Sequence, residues 1–263
     1  MHDGRDVWLY TSWPVLNYDL MQQGLKCVRM NSPLWTQAKN EAREATKFVK
    51  APTGVETTQL KYWTRLPTHM DVTSTVLDAI FRSAGLTLED DDTFEIPVPF
   101  EWQFRLDDLL EQQGWRGQPM LVYRPLTKRP EARMNDGRNP DPQVYHDCLA
   151  QIREQFFVVS VADLLPGREW IVGPQVQAEA TFHGGLPIEL LVALFARASL
   201  AYVAAGFGAI LSPAVKTPVI SVVGNEPVGW LNCSRTVPYL GIAPPYTDAP
   251  QRCKDFVACI ELP

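Results

Sequence analysis

Residues 201–224 read AYVAAGFGAILSPAVKTPVISVVG. The apolar runs AYVAA and PVISVVG each have the length of a strand, and a turn and helix-prone segment separates them. A continuous apolar run, lacking the alternation of a half-exposed strand, belongs in a parallel sheet covered on both faces. Gly206 and Gly208 then stand where a buried strand ends and a helix begins. Two readings fit them. The missing side chain lets the backbone approach a phosphate or a sugar at the helix mouth, or it closes a tight turn.

The same alternation runs back through the C-terminal half. MLVY and FFVVSVADL read as strands, and Val144, Cys148 and Ile152 line one face of a helix between them. EWIVG and EATFH are short extended pieces, and Pro187 can open the helix LPIELLVALFARAS at its first turn. Strands are expected near 120–123, 156–161, 200–204 and 218–223, joined by right-handed crossovers into a parallel α/β domain. The N-terminal half is less regular. DVWLYTSWP, LKCVRM and LKYWTRL are strand candidates, and TQAKNEAREATKFV is helix-prone. THMDVTSTVLDAIFRSAGL reads as a capped amphipathic helix with Val72, Val76, Ile80 and Phe81 at helical spacing. TFEIPVPF is a short extended piece. QQGWRGQP, residues 112–119, is the expected linker, dividing the chain into domains 1–114 and 115–263.

A chain of 263 residues suits one large domain or two small ones and buries a core without staples. No apolar run approaches the ~20 residues of a membrane span, and MHDGRDVWLY lacks the layout of a signal peptide. A cytoplasmic location is expected. The net charge of −6 repels nucleic acid at long range, although a local basic groove can still bind it. The cysteines are odd in number and scattered, which argues against a disulfide framework. Cys233, Cys253 and Cys259 have no CxxC pair and no nearby histidine, so no metal site is expected.

In an open parallel sheet, ligands bind beyond the C-terminal ends of the strands. After MLVY come Arg124, Lys128, Arg129, Arg133 and Arg138, opposed by Glu131 and Asp136, a net charge of 5 − 2 = +3 in an acidic chain. Such a loop either grips a diphosphate or is a solvated basic loop. After EATF come His183, Gly184 and Gly185, at another helix N-terminus, which suits an anion or serves only as a glycine turn. Phe207 sits between Gly206 and Gly208 after AYVAA. The convergence of three such features behind strands of one half outweighs each alone. In the N-terminal half, His69 can act as a general base near neutral pH, and Asp71 is either a base or a helix cap. Trp13 is a core residue or a stacking platform, while Gln37 and Lys39 lie on a polar helix face.

RNPDPQVY, FFVVSVADLLPGREWIVG, FHGGLPIELLVALFARASLAYVAAGFGAILSPAVKTPVISVVG and RCKDFVACIEL resemble glycosyltransferase family 9, the heptosyltransferase-like group, and especially its shorter bacterial and phage members. DVWLYTSWPVLNYDL and TQAKNEAR resemble the family's N-terminal segment, so the resemblance covers most of the chain. It implies a GT-B-like α/β fold of two Rossmann-like domains, the N-terminal one abbreviated. It implies a nucleotide-sugar donor in the C-terminal domain, an acceptor in the N-terminal domain, and inverting transfer without a metal or other cofactor. Arg124, Lys128, Arg138, His183, Gly184, Gly206, Phe207 and Gly208 then form the donor side, and Trp13, Gln37 and Lys39 the acceptor side. Family members open with a strand and a turn ending in Gly-Asp, whose aspartate is the usual candidate base. This sequence opens on what corresponds to the second strand, so His69, then Asp71, is the expected substitute.

The acceptor is a surface saccharide or a hydroxymethylated pyrimidine of phage DNA; the sequence leaves both open. The rival is a sugar-nucleotide-binding protein without catalysis. A doubly wound hydrolase is disfavoured, because there is no G-x-S-x-G elbow. An exposed apolar edge near VWLYTSWP would favour self-association through the N-terminal half.

Overall fold

The structure is a computed structural model that describes residues 8–11, 14–29, 75–83, 85–87, 94–128, 139–164, 166–167, 169–184, 186–225 and 228–260. Its elements in chain order are strands β1 (Trp8–Thr11), β2 (Lys26–Arg29), β3 (Met120–Tyr123), β4 (Thr127–Lys128), β5 (Phe157–Ala162), β6 (Trp170–Ile171), β7 (Ala180–His183), β8 (Leu200–Ala204), β9 (Val219–Val222) and β10 (Tyr239–Ile242). The helices are α1 (Tyr18–Gln22), α2 (Val76–Ser83), α3 (Phe100–Gln112), α4 (Pro142–Ala150), α5 (Ile188–Arg197), α6 (Phe207–Ala214) and α7 (Ala249–Cys259).

Six strands form one sheet in the order β10-β9-β8-β3-β5-β7, and every neighbouring pair is parallel. The chain winds outward from β3 through β5 to β7, returns to β8, and winds the other way through β9 to β10. The expected strands lie where the apolar runs placed them. β10 was not expected, because Gly241 and the prolines around it interrupt the pattern; as the edge strand it needs only one partner. A separate pair, β1 and β2, is also parallel and encloses α1. The strand candidate LKYWTRL, the helix candidate TQAKNEAREATKFV, and the residues Trp13, Gln37, Lys39, His69, Asp71 and Arg138 lie outside the described residues.

Both sheet faces are covered, which explains the unbroken apolar runs. On one face, Val122, Val159, Val203 and Val219 meet Leu190 and Leu194 of α5, Leu211 of α6, and Trp102, Leu106 and Leu110 of α3. On the other, Leu121, Val158, Tyr202 and Ile220 meet Tyr145, Cys148 and Leu149 of α4 and Cys253 and Val257 of α7. Cys148 and Cys253 are buried free thiols, fully enclosed in that second layer.

Residues 100–112 carry no expected element, yet they fold as α3. Trp102, Leu106 and Leu110 recur every four residues and cover the sheet, while Phe100 and Phe104 on another face stay exposed. Asp107 accepts two hydrogen bonds from the Arg197 guanidinium, which ties α3 to the end of α5. That guanidinium also lies 5.9 Å from the Trp115 ring centroid. The extended stretch before α3 is held too, since the Ile96 N–H donates to the Ala214 carbonyl at 2.8 Å.

Helix α2 is capped at Thr75, whereas the cap candidate from the sequence, Asp71, lies outside the described residues. Asp78 Oδ2 accepts from the Thr75 N–H and hydroxyl, and the Asp78 N–H donates back to Thr75 Oγ1 at 3.3 Å. Among its described side chains, Leu77 is buried against Ala214 and Cys233, with Phe81 partly buried beside it. Thr75→Ala should lower stability by about 1 kcal/mol; chemical denaturation measures it, and an unchanged midpoint would contradict the capping role. Among the described residues, no helix is long and apolar enough to cross a membrane.

Candidate functional site

The strand order reverses between β3 and β8, which run side by side with Leu121 opposite Leu200 and Tyr123 opposite Tyr202. Connections leave these two strands toward opposite sides of the sheet, so a crevice opens beyond their C-terminal ends. The residues at its two lips are Arg124, directly after β3, and Gly206, directly before α6.

The structure brings these two together. A Cβ built on Gly206 would lie 4.0 Å from Arg124 Nη1. Gly206 has φ 157° and ψ −163°, backbone that glycine adopts and side-chain-bearing residues avoid. Its conformation accounts for a glycine here, while a Cβ would meet the Arg124 guanidinium only at ordinary contact distance. Gly208 answers differently: a Cβ there would meet Val203 Cγ1 at 3.0 Å and Phe195 Cζ at 3.3 Å, so its missing side chain lets α6 pack on β8 and α5.

Arg124 is held at both of its backbone groups. Its N–H donates to the Tyr202 carbonyl at 3.0 Å. Its carbonyl accepts from the Tyr145 hydroxyl at 2.8 Å. The Tyr202 hydroxyl in turn donates to the Tyr145 carbonyl at 2.7 Å, with the two rings 4.7 Å apart. Burial pushes both hydroxyls well above the usual tyrosine range and that of Tyr123 up to about 12. These phenols stay neutral donors, and they fix the backbone from which Arg124 projects. Neither Tyr145 nor Tyr202 stands out in the sequence, because a tyrosine in an apolar run reads as core.

Four helices follow strands at this edge of the sheet, and their N-termini differ. Helix α7 has no side-chain cap hydrogen bond and no acid in its first turn, but its N-cap residue is Asp248 and it follows the edge strand β10, three strands from β3. At α4 the Asp141 carboxylate accepts from the Gln143 and Val144 N–H groups at 2.9 and 3.0 Å, so the end is already capped by an anion. At α5 no side chain caps the end, but Glu189 puts a negative charge in the first turn. At α6 there is no side-chain cap and no acid in the first turn, and a guanidinium stands beside Gly206. First-turn N–H groups have no carbonyl in a preceding turn and carry partial positive charge. Of these ends, α6 is therefore the one that opens at the crevice with a cation beside it and no carboxylate at its cap or first turn. A shallow concavity lined by Asp108, Glu111, Gln112 and Arg116 lies where α3 ends, before β3 begins, and its two carboxylates suit an anion poorly.

His183 ends β7, two strands from β3. At ~4.8 Å per strand it lies roughly 10 Å along the same edge from Arg124. His183 Nε2 and Ser160 Oγ are 2.8 Å apart and share one hydrogen bond, whose direction follows the imidazole tautomer. Ser160 is buried within β5, a lone hydroxyl in an apolar run that the sequence reading passed over. Gly184 follows His183 with φ 123°, a glycine-favouring turn, and a Cβ there would meet the Leu164 carbonyl at 3.7 Å. Burial lowers the His183 pKa from its ordinary 6.5, so the folded chain holds it neutral at pH 7.

That shift has a sign. Below pH 6.5 the unfolded histidine takes a proton that the folded one resists, so this group's contribution to stability is intact above 6.5 and declines as pH falls. His183→Gln should flatten the fall in stability between pH 7.5 and pH 5.5, read from denaturation midpoints. An identical pH slope in the variant would contradict it.

Lys128 is exposed on β4, four residues beyond Arg124, and Phe207 is exposed at the first position of α6. The described members of the donor-side set thus all lie along the C-terminal edge of the sheet: Arg124, Gly206 and Phe207 at the crevice, Lys128 on β4, His183 and Gly184 at the end of β7, and Gly208 turned into the core.

No family model matches the chain, and no curated protein matches it. It is similar to a solved glycosyl transferase family 9 structure from Veillonella parvula, at 12% identity over 75% of this chain and 55% of that one, with a TM-score of 0.49. It is also similar to the ADP-heptose lipopolysaccharide heptosyltransferase II of E. coli, at 12% identity over 63% of this chain and 53% of that one, with a TM-score of 0.44. A third is the dodecameric iron-containing heptosyltransferase TibC of enterotoxigenic E. coli, solved with ADP-D-beta-D-heptose, at 13% identity over 83% of this chain and 58% of that one, with a TM-score of 0.44. The chain spans a little over half the length of each of these structures.

Proposed function

We propose that the crevice between β3 and β8 binds the diphosphate of a nucleotide sugar and that the chain transfers the sugar to a hydroxyl acceptor with inversion. The observation that carries this reading is the Arg124 guanidinium beside an uncapped, acid-free helix N-terminus at the reversal of strand order. A diphosphate needs fixed positive charge and N–H donors, and these are aimed at one place. Lys128 adds a second cation a few residues along, and Arg138 belongs to the same basic loop.

In this reading the acceptor oxygen forms a bond to the anomeric carbon as the carbon–oxygen bond to the diphosphate breaks. The leaving nucleoside diphosphate takes the electron pair, and Arg124 and the α6 N–H groups stabilise its charge without a metal. A base takes the hydroxyl proton. His69 is the first candidate and Asp71 the second, on the acceptor side contributed by the N-terminal part of the chain that precedes α3. The acidity of the chain favours a saccharide over DNA as acceptor.

A thermal-shift panel of nucleoside diphosphates and nucleotide sugars tests the site, because a ligand of the folded state raises the melting temperature. Sugar transfer and slow donor hydrolysis are then measured with the ligand that binds. Binding with neither reaction would favour the non-catalytic reading, and no shift with any nucleotide would end the proposal.

A further inference from the structure

After Gly114 the described residues expose three large apolar side chains, Trp170 at 49%, Phe207 at 40% and Val228 at 46%. Each follows the C-terminal end of a parallel strand: β5, β8 and β9 respectively. Val228 lies against Gly241 of edge strand β10, which leaves Trp170 and Phe207 as exposed aromatic side chains beyond the strand ends, where a ligand with an apolar face can meet them.

Phe207 belongs to the crevice itself. Trp170 does not, and its setting is specific. It lies on β6, which pairs antiparallel with β4 so that Trp170 stands directly opposite Lys128. Residues opposite each other in an antiparallel pair project from the same face, so the Trp170 and Lys128 side chains leave the ribbon on one face. This ribbon grows out of β3 only three residues after Arg124. Four residues of chain separate the Cα atoms of Arg124 and Lys128 by at most about 14 Å, within the length of an extended nucleoside diphosphate.

The ribbon is anchored as well as exposed. The Val172 N–H donates to the carbonyl of buried Leu126 at 2.9 Å. Asn139 Nδ2 donates to the Thr127 carbonyl at 3.1 Å. Gly173 is pressed against α4, where a Cβ would lie 2.9 Å from Pro142 Cβ. The backbone that carries Trp170 is therefore fixed before any ligand arrives.

We infer that Trp170 is the base-recognition platform of this site: the aromatic base of a nucleoside diphosphate stacks on its indole while Lys128, across the ribbon, faces the phosphate side. This rests on the diphosphate site proposed above and adds what that reading leaves open, which residue reads the base. Aromatic stacking accepts every base, since each has a π-face. The site should therefore take purine and pyrimidine diphosphates with similar affinity.

The experiment compares ADP, UDP and inorganic pyrophosphate by calorimetry against the full chain, Trp170→Leu, Trp170→Phe and Arg124→Ala. Trp170→Leu should weaken ADP and UDP about tenfold and leave pyrophosphate within about twofold, and Trp170→Phe should restore most of the loss. Equal weakening of nucleotides and pyrophosphate by Trp170→Leu would overturn the inference, because the ribbon would then act through the fold. Nucleotide binding that Arg124→Ala weakens and Trp170→Leu does not would overturn it while sparing the diphosphate site. No binding of ADP, UDP or pyrophosphate to the wild-type chain would remove the site and the platform together.

Discussion

Arg124→Ala is expected to weaken nucleoside diphosphate binding by roughly tenfold to a hundredfold, the loss of one charge-assisted phosphate contact. The size of the effect follows from where Arg124 stands. Its backbone is fixed by Tyr202 on one side and Tyr145 on the other, and its guanidinium reaches the glycine that opens α6. The backbone that carries the guanidinium needs no reordering on binding, so the variant loses chiefly the charge-assisted contact itself. Arg124→Lys should recover only part of the affinity, because an ammonium group cannot present two parallel N–H donors. Calorimetry with the full chain measures both variants. Wild-type affinity in Arg124→Ala would remove Arg124 from the site.

Leu106→Ala should destabilise the fold by about 2–5 kcal/mol. Leu106 is fully buried in the layer that α3 shares with α5, α6 and the sheet. Truncating it opens a cavity between two helices that Arg197 and Asp107 also bind together, so the site can close the gap only in part. Phe104→Ala, two residues away and 57% exposed, is the control and should cost far less. Denaturant midpoints for the two variants separate these outcomes. Equal effects would mean that α3 is not a packed part of the sheet domain.

The C-terminal half was legible because its strands are buried on both faces. Val122, Val159, Val203 and Ile220 stand in runs that no half-exposed strand would carry, and the glycines and prolines between them mark the turns. Helix α3 escaped because its buried stripe is only Trp102, Leu106 and Leu110, diluted by charges and by two exposed phenylalanines. The crevice was half legible. Arg124 and Gly206 can each be picked out as residues following a strand, and the sheet order explains why strands distant in sequence bring them together. Gly208 resembled Gly206 in sequence, and only the packing of Phe195 and Val203 against it shows that the two glycines serve different ends. The pairing of Lys128 with Trp170 could not be read at all, because a two-residue strand has no periodicity.

The most direct test is a crystal structure of the full chain with a bound nucleoside diphosphate. The account predicts the diphosphate at the head of α6, with oxygens in hydrogen-bond reach of the first-turn N–H groups and of the Arg124 guanidinium. A diphosphate seated on α4 or α5, or anywhere away from the crevice between β3 and β8, would contradict it.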